Sequence, residues 1–423
     1  MAESQRLLLI GAKPGICDRA LTLTDDILLI HKATAVDPRL SAQIGTIVLL
    51  DYEKDMDSFL QVATDAHRAR KFHAMVCQTE QGLVPAALVG EVLGLNPNPT
   101  RVVRETRDKV LMRKRMAESG FGAVASAAGS CRADIERFAA EHGYPLIVKP
   151  RDGSASRGTT YIADAAQLEA IAPHGKVDVL YIDGGEFIIE EYLDGPEFSV
   201  ECFSFNGHHT VFAITEQFKI DPEHLAQGHV NAYVEVAHKI PADIPPQVAD
   251  SIRAYVRRFL TVMGVQNGPT HTELKLTRSG PRIVETHTRI AGDNIVDMVQ
   301  LTTHHDLLQI SVAWALGKCD PILESPAFVQ GAAIRYFTPK PGIVRRVHGT
   351  SLWERAPGVV SVHLPLKRGD TVQPMRVSED RVGYVMATGR TANEADSLCR
   401  RVCESIVIET IPRKPGLLPG QIE

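Results

Sequence analysis

Apolar and polar positions alternate along this chain in two regimes. Up to about residue 100, the apolar runs Leu7–Gly11, Asp26–Leu29, Thr46–Leu50 and Ala74–Cys77 read as short strands, and Met56–Arg70 reads as a helix. Strands alternating with helices predict a small parallel α/β sheet. Asn96-Pro97-Asn98-Pro99 then breaks the pattern sharply. A strongly charged stretch from Glu105 to Gly120 predicts a helix, on which a run such as Lys109, Arg113, Lys114 and Arg115 is usually a solvated face. A second β/α pattern spans Tyr144 to about Lys219. Residues 248–263 carry Val248, Ile252, Val256, Phe259 and Leu260 at helical spacing and predict a core helix. His304–Gly317 predicts another. From Pro321 onward, turn-rich β segments lead to a final helix, about Ala392 to Glu404, and a last strand, Ile406–Glu409.

The strand pattern sharpens at Gly268-Pro269-Thr270-His271-Thr272-Glu273. Glu273 opens the alternating run Leu274-Lys275-Leu276, which stops at the hairpin signal Arg278-Ser279-Gly280-Pro281, and Arg282-Ile283-Val284-Glu285 follows. Antiparallel pairing brings Glu273 and Glu285 side by side at one end. Two adjacent carboxylates raise one another's pKa unless a cation lies between them. Mg²⁺ takes oxygen ligands and commonly shares them with substrate phosphates. From these residues alone, the hairpin reads equally as a metal site or as an ordinary solvated turn.

Size and composition narrow the class. At 423 residues the chain is too long for one core. A hydrophobic content of 44% with 23% charged residues is that of an ordinary globular protein, and a net charge of −5 gives no general attraction to nucleic acid or anionic membrane. No apolar run approaches the roughly 20 residues of a membrane helix, and no signal-peptide pattern precedes the first strand. Seven dispersed cysteines read as reduced thiols rather than a disulfide frame or zinc site, so the cytoplasm is expected. Gly11-Ala12-Lys13-Pro14-Gly15 follows the first strand but lacks the spacing of a dinucleotide loop.

Three further segments carry chemistry. Tyr144-Pro145-Leu146-Ile147-Val148-Lys149-Pro150 is a buried strand ending in lysine, followed by the small-residue loop Arg151-Asp152-Gly153-Ser154-Ala155-Ser156-Arg157-Gly158-Thr159-Thr160. A lysine beside such a loop can hold a triphosphate, because small residues let backbone N–H groups approach the oxygens. It is not a Walker A loop, and alone it also reads as an exposed turn. Phe187-Ile188-Ile189-Glu190-Glu191-Tyr192-Leu193 runs into an extended hinge with Glu197 beyond it. Free backbone groups there can read an adenine edge, and a carboxylate can take ribose hydroxyls. Lysine on a helix, Lys-Pro before a Gly/Ser loop, the Glu-Glu-Tyr-Leu hinge with its later Glu, and two glutamates twelve apart with Glu-x-x-x-Arg occur in an order that resembles the ATP-grasp superfamily. The resemblance covers roughly residues 100–320.

It implies a mixed α/β fold: an N-terminal Rossmann-like domain (1–100), a two-subdomain ATP-grasp core (101–320, its lid at about 130–195) and a β-rich C-terminal domain (321–423). By analogy Lys109 and Lys149 would contact the phosphates of ATP, and the 152–159 loop, with Ser154, Ser156 and Gly158, would close over them. Glu190 and Leu193 would bind adenine, Glu197 the ribose, Glu273 and Glu285 two Mg²⁺ ions (or Mn²⁺), and Arg289 the transferred phosphoryl group. His287 stands where the family usually has a metal-binding Asn; it either leaves that place to water or faces the substrate.

Within the superfamily, His271-Thr272-Glu273-Leu274-Lys275-Leu276-Thr277, Tyr233-Val234-Glu235-Val236-Ala237-His238 and Ala333-Ile334-Arg335-Tyr336-Phe337 resemble the L-amino-acid ligases, which make dipeptides. That implies an acid–amino-acid ligase with Glu235 and His238 lining the amino-acid site. Asp293 would also face substrate and favour a cationic or polar one, and Lys219–Asn231 would form a substrate loop. Amino-acid-like small molecules and a second copy of the chain are the expected partners, with no nucleic acid and no membrane. The alternatives are a biotin-carboxylase-like or purine-biosynthetic enzyme acting on bicarbonate, and a non-catalytic nucleotide-binding protein.

Overall fold

The computed structural model describes residues 5–11, 14–32, 37–153, 156–171, 185–221, 225, 231–350, 353 and 356–412. Strands Leu7–Ile10, Ile27–His31, Thr46–Leu49 and Ala74–Cys77 form a parallel sheet in which Leu7–Ile10 is internal, hence buried on both faces. Met56–Ala69 is helical, its first turn capped by the Asp55 carboxylate on the Ser58 N–H. Pro14 opens a helix, Pro14–Leu21, so the glycines around it flank a helix start. Ala12 and Lys13 lie outside the described residues.

The charged stretch is two helices, Thr100–Arg107 and Lys109–Glu118. Asp108 between them is extended, and its carboxylate accepts from the Val110 and Leu111 N–H groups. The break turns Lys109 and Arg113 inward, and both are buried. They are therefore no solvated face. In the same way Asp306 caps Leu307–Ala315, so the helix expected from His304 begins three residues later.

The centre is an eight-stranded antiparallel sheet in the order Gly280–His287, Gly268–Thr277, Glu197–Phe205, His208–Lys219, Glu235–Ile240, Gly331–Tyr336, Tyr384–Gly389, Val359–His363. Alternation along the strands sorts its two faces. Phe198, Val200 and Cys202 pack with helix Pro246–Met263, whereas Phe203 and Phe205 join a core shared with Leu7, Leu9, Ile295 and Leu308. Gly331–Tyr336 pairs with Glu235–Ile240, so strands from beyond residue 320 continue the sheet that carries the metal-type hairpin. Val407–Ile411 pairs separately with Gly342–His348.

A small antiparallel sheet, Ser126–Gly129, Phe187–Glu191, Leu146–Pro150 and Thr160–Ile162, has its own core with helix Arg132–His142. Leu146, Val148, Phe187 and Ile189 enter that core. Lys149 and Glu190 take the opposite face and turn to the cavity described next.

Candidate active site

A cavity of about 430 Å³ lies between the small sheet, the large sheet and the segment after Ala74–Cys77. Lys109, Lys149, Ser156, Glu190, Leu193, Glu197, Glu235, His238, Glu273, Glu285, His287, Arg289 and Asp293 all line it. Gly158 does not; it is a buried turn residue at φ 68°. Ser154 lies outside the described residues, as does most of the expected substrate loop after Asp221.

At one end the hairpin register pairs Glu273 directly with Glu285 and His271 with His287. Lys109 Nζ lies 2.8 Å from Glu285 Oε2 and donates to the Gly153 carbonyl at 2.8 Å. Burial works against ionising Glu285, but Lys109 and His287 outweigh it and hold its carboxyl well below the usual range. Glu273 is opposed by burial and by Glu285, and His271 brings it down. Each carboxylate thus has its own cation, and the mutual repulsion anticipated for the pair is relieved from the flanks. Among the described residues no cluster of three or more His, Cys, Asp or Glu side chains is placed to hold a metal. The paired carboxylates Glu273 and Glu285 at the cavity fit magnesium, which is held by one or two carboxylates plus substrate phosphates.

His287 lines the cavity with both ring nitrogens next to carboxylates. Its Nδ1 lies 3.1 Å from Glu80 Oε1 and its Nε2 3.2 Å from Glu285 Oε1. Despite its burial, Glu80 and Glu285 raise its pKa. A ring that donates from both nitrogens has no lone pair for a metal. Glu80 also binds Arg289 Nε (2.6 Å) and Arg107 (2.7 Å).

Glu190 does not offer its side chain to a base. Arg113 Nε donates to its Oε1 and Lys149 Nζ meets its Oε2, both at 2.6 Å. Burial opposes the charge, yet these two cations set the Glu190 pKa at about 2. In this arrangement the Glu190 side chain is engaged by Arg113 and Lys149. Glu197 is likewise paired, with Lys219 at 2.7 Å and Lys275 at 3.8 Å.

At the other end Glu235 is buried, with no cation in direct contact among the described residues; its carboxylate accepts from Ser156 Oγ (3.3 Å) and Ser378 Oγ (3.4 Å). Burial pushes its pKa to about 8, against the attraction of Lys219 and with Glu273 and Glu197 adding to the rise. His238 Nε2 lies 3.1 Å from Asp293 Oδ2, and its Nδ1 is buried without a hydrogen-bond partner. Asp293 sits at φ 55° with Asn294 at φ 57°, a left-handed pair. Arg381 grips Asp293 in a fork (2.7 and 2.6 Å) and stacks 3.8 Å over the Tyr336 ring. Asp293 was expected to favour a cationic substrate; Arg381 already neutralises it, so it presents no free negative charge.

Glu80, Ser378 and Arg381 escaped the sequence reading as site residues; Arg113 reads there as a solvated face, Lys219 only as the first residue of a substrate loop, and Lys275 only as part of the hairpin strand. Only Arg113 carried a signal, four residues after Lys109 and so on the same helix face.

Residues 142–297 match the family model for the ATP-grasp domain, and residues 335–410 match that for L-amino acid ligase C-terminal domain 2. The uncharacterized protein y4rH of Sinorhizobium fredii (strain NBRC 101917 / NGR234) is 27% identical over 320 residues, 73% of this chain and 62% of that protein. Dapdiamide A synthase of Enterobacter agglomerans is 23% identical over 278 residues, 63% of each chain. The chain thus spans 62–63% of the length of these two relatives. The crystal structure of L-amino acid ligase from Bacillus licheniformis shares the fold at a TM-score of 0.80 and 20% identity, over 97% of this chain and 100% of that one. Residues 142–297 thus form an ATP-grasp domain, and residues 335–410 an L-amino acid ligase C-terminal domain 2.

Proposed function

We propose that the protein is an ATP-dependent, ADP-forming carboxylate–amine ligase that joins two amino-acid-type substrates through an acyl phosphate. The observation that carries this reading is Glu235, a buried carboxylate with only hydroxyl partners, in one cavity with the lysines and paired carboxylates of a phosphate site. An ammonium group is the partner it lacks, since a buried carboxylate is costly until it meets a cation.

A free carboxylate resists amines because oxide would have to leave. Its oxygen attacks the γ-phosphorus of ATP, ADP departs, and the acyl phosphate then offers phosphate as leaving group. Lys109 and Lys149 hold the nucleotide phosphates, and Arg289, braced by Glu80, faces the transferred group. Magnesium held by Glu273 and Glu285, as one or two ions and replaceable by manganese, neutralises charge on the transferring phosphoryl when bound. The hinge main chain at Glu190 and Leu193 reads adenine, and Glu197 with Lys219 meets the ribose. The amine of the second substrate attacks the acyl carbon and loses a proton. Asp293 accepts from His238 Nε2 and fixes the tautomer whose Nδ1 lone pair can take that proton. Exclusion of water during turnover would protect the acyl phosphate from hydrolysis.

A bicarbonate-phosphorylating enzyme gives no role to Glu235, and the match over residues 335–410 favours the amino-acid reading. A purely nucleotide-binding protein would lack a phosphate lysine or a metal carboxylate, and both sets are present. Seven free thiols suit a reducing compartment, and we assign the cytoplasm on that footing. Amino-acid pairs screened for ATP-dependent phosphate release, with mass spectrometry of products, should yield a dipeptide and ADP. ATP turnover with bicarbonate alone would overturn the proposal.

A further inference from the structure

The two carboxylates of the metal-type pair are supported in the same way from opposite sides. His271 Nδ1 lies 2.9 Å from Glu201 Oε1, and its Nε2 lies 3.3 Å from Glu273 Oε1. His287 Nδ1 lies 3.1 Å from Glu80 Oε1, and its Nε2 lies 3.2 Å from Glu285 Oε1. The sheet register generates the likeness: Glu201, His271 and His287 stand directly across from one another on three neighbouring strands. Side chains two apart share a face, so His271 reaches Glu273 two residues on and His287 reaches Glu285 two residues back. The rings are nearly parallel, 16° between planes, with centroids 6.4 Å apart.

Glu201 does not line the cavity and is 2% exposed. Its carboxylate is bonded by Ser199 Oγ at 2.9 Å and by His271, and by no lysine or arginine. A buried acid so placed needs a reason, because removing it from water is costly. Holding the His271 ring is the one task its contacts serve. A free glutamate samples many rotamers, and ordering it costs conformational entropy. A ring locked at both nitrogens removes most of that freedom before any ion arrives.

We propose that Glu201 and Glu80 are positioning residues for the divalent cation, acting through His271 and His287 to pre-set Glu273 and Glu285. The inference rests on the magnesium–nucleotide reading above. It makes Glu201 the cleaner probe, because Glu80 also holds Arg289 and Arg107.

The test is calorimetric titration of ADP into the protein at graded MgCl₂, with thermal melting alongside. In the wild type, ADP affinity should rise with magnesium; if it does not, the metal reading itself fails. Glu201→Gln should shift the magnesium midpoint upward by about 10- to 100-fold, the usual cost of losing an outer-shell partner. Its ADP affinity without magnesium should stay at the wild-type value. His271→Gln, which leaves Glu201 bonded to Ser199, should give the same shift and serves where Glu201→Gln does not fold. An unchanged midpoint in a wild-type background that does respond to magnesium would overturn the positioning role. So would an equal loss of metal-free ADP binding, which marks a merely structural defect.

Discussion

Replacing Glu235 by glutamine should make the substrate-free protein more stable above pH 8 and leave it unchanged near pH 5. The folded-state pKa of Glu235 is raised from 4.5 to about 8. Between those values the folded chain keeps a proton that the unfolded chain has released. Stability therefore falls as pH rises through this window, and the full penalty is present above pH 8. Glutamine matches the protonated acid in shape and never ionises. At about 1.36 kcal/mol per unit the full span is worth roughly 5 kcal/mol, and relaxation around the cavity should leave about 2–3 kcal/mol observable. Urea unfolding of both proteins at pH 5, 7 and 8.5, without ligands, reads the difference directly, because every other titrating group cancels. A difference that stays constant across this range would refute the argument that Glu235 is buried without a cation.

Glu285→Gln should abolish ADP formation while leaving the melting temperature within a few degrees, since Lys109 loses a partner beside a cavity that water can enter; retained turnover, measured by coupled ADP release, would remove Glu285 from the metal site. Glu190→Leu leaves Arg113 and Lys149 buried without a counter-charge, and urea unfolding should show a loss of about 3–5 kcal/mol, as for other broken buried pairs. Gly195→Ala places a Cβ 2.2 Å from the Leu276 carbonyl oxygen at φ 133°; it should cost about 1–3 kcal/mol in unfolding experiments and raise the KM for ATP by displacing the hinge.

Local pattern made part of this structure legible. The hairpin signal between Leu276 and Arg282 fixes which residues face each other, and Glu273 does pair with Glu285. The apolar runs of the first hundred residues mark their strands because each is short, buried and bounded by turns. What stayed hidden depends on distance along the chain. Glu80 meets His287 across 207 positions, and Arg381 meets Asp293 across 88. No periodicity encodes such encounters. Asp108 shows a different blind spot: one capping residue splits a charged stretch into two helices and turns Lys109 and Arg113 inward. For Asp293 and Glu190 the sequence offered a charge but not its counter-charge, which decides whether that charge is free to meet a ligand.

The continuous eight-stranded sheet divides the labour of the cavity between remote stretches of chain. Its phosphate end draws on Lys109, Lys149, Glu273 and Glu285, whereas the Glu235 end is braced by Ser378 and Arg381 from the far side of the sheet. Changes around residues 376–381 therefore alter the surroundings of Glu235, and they also reach the 152–159 loop, where Arg157 lies 3.6 Å from Glu379.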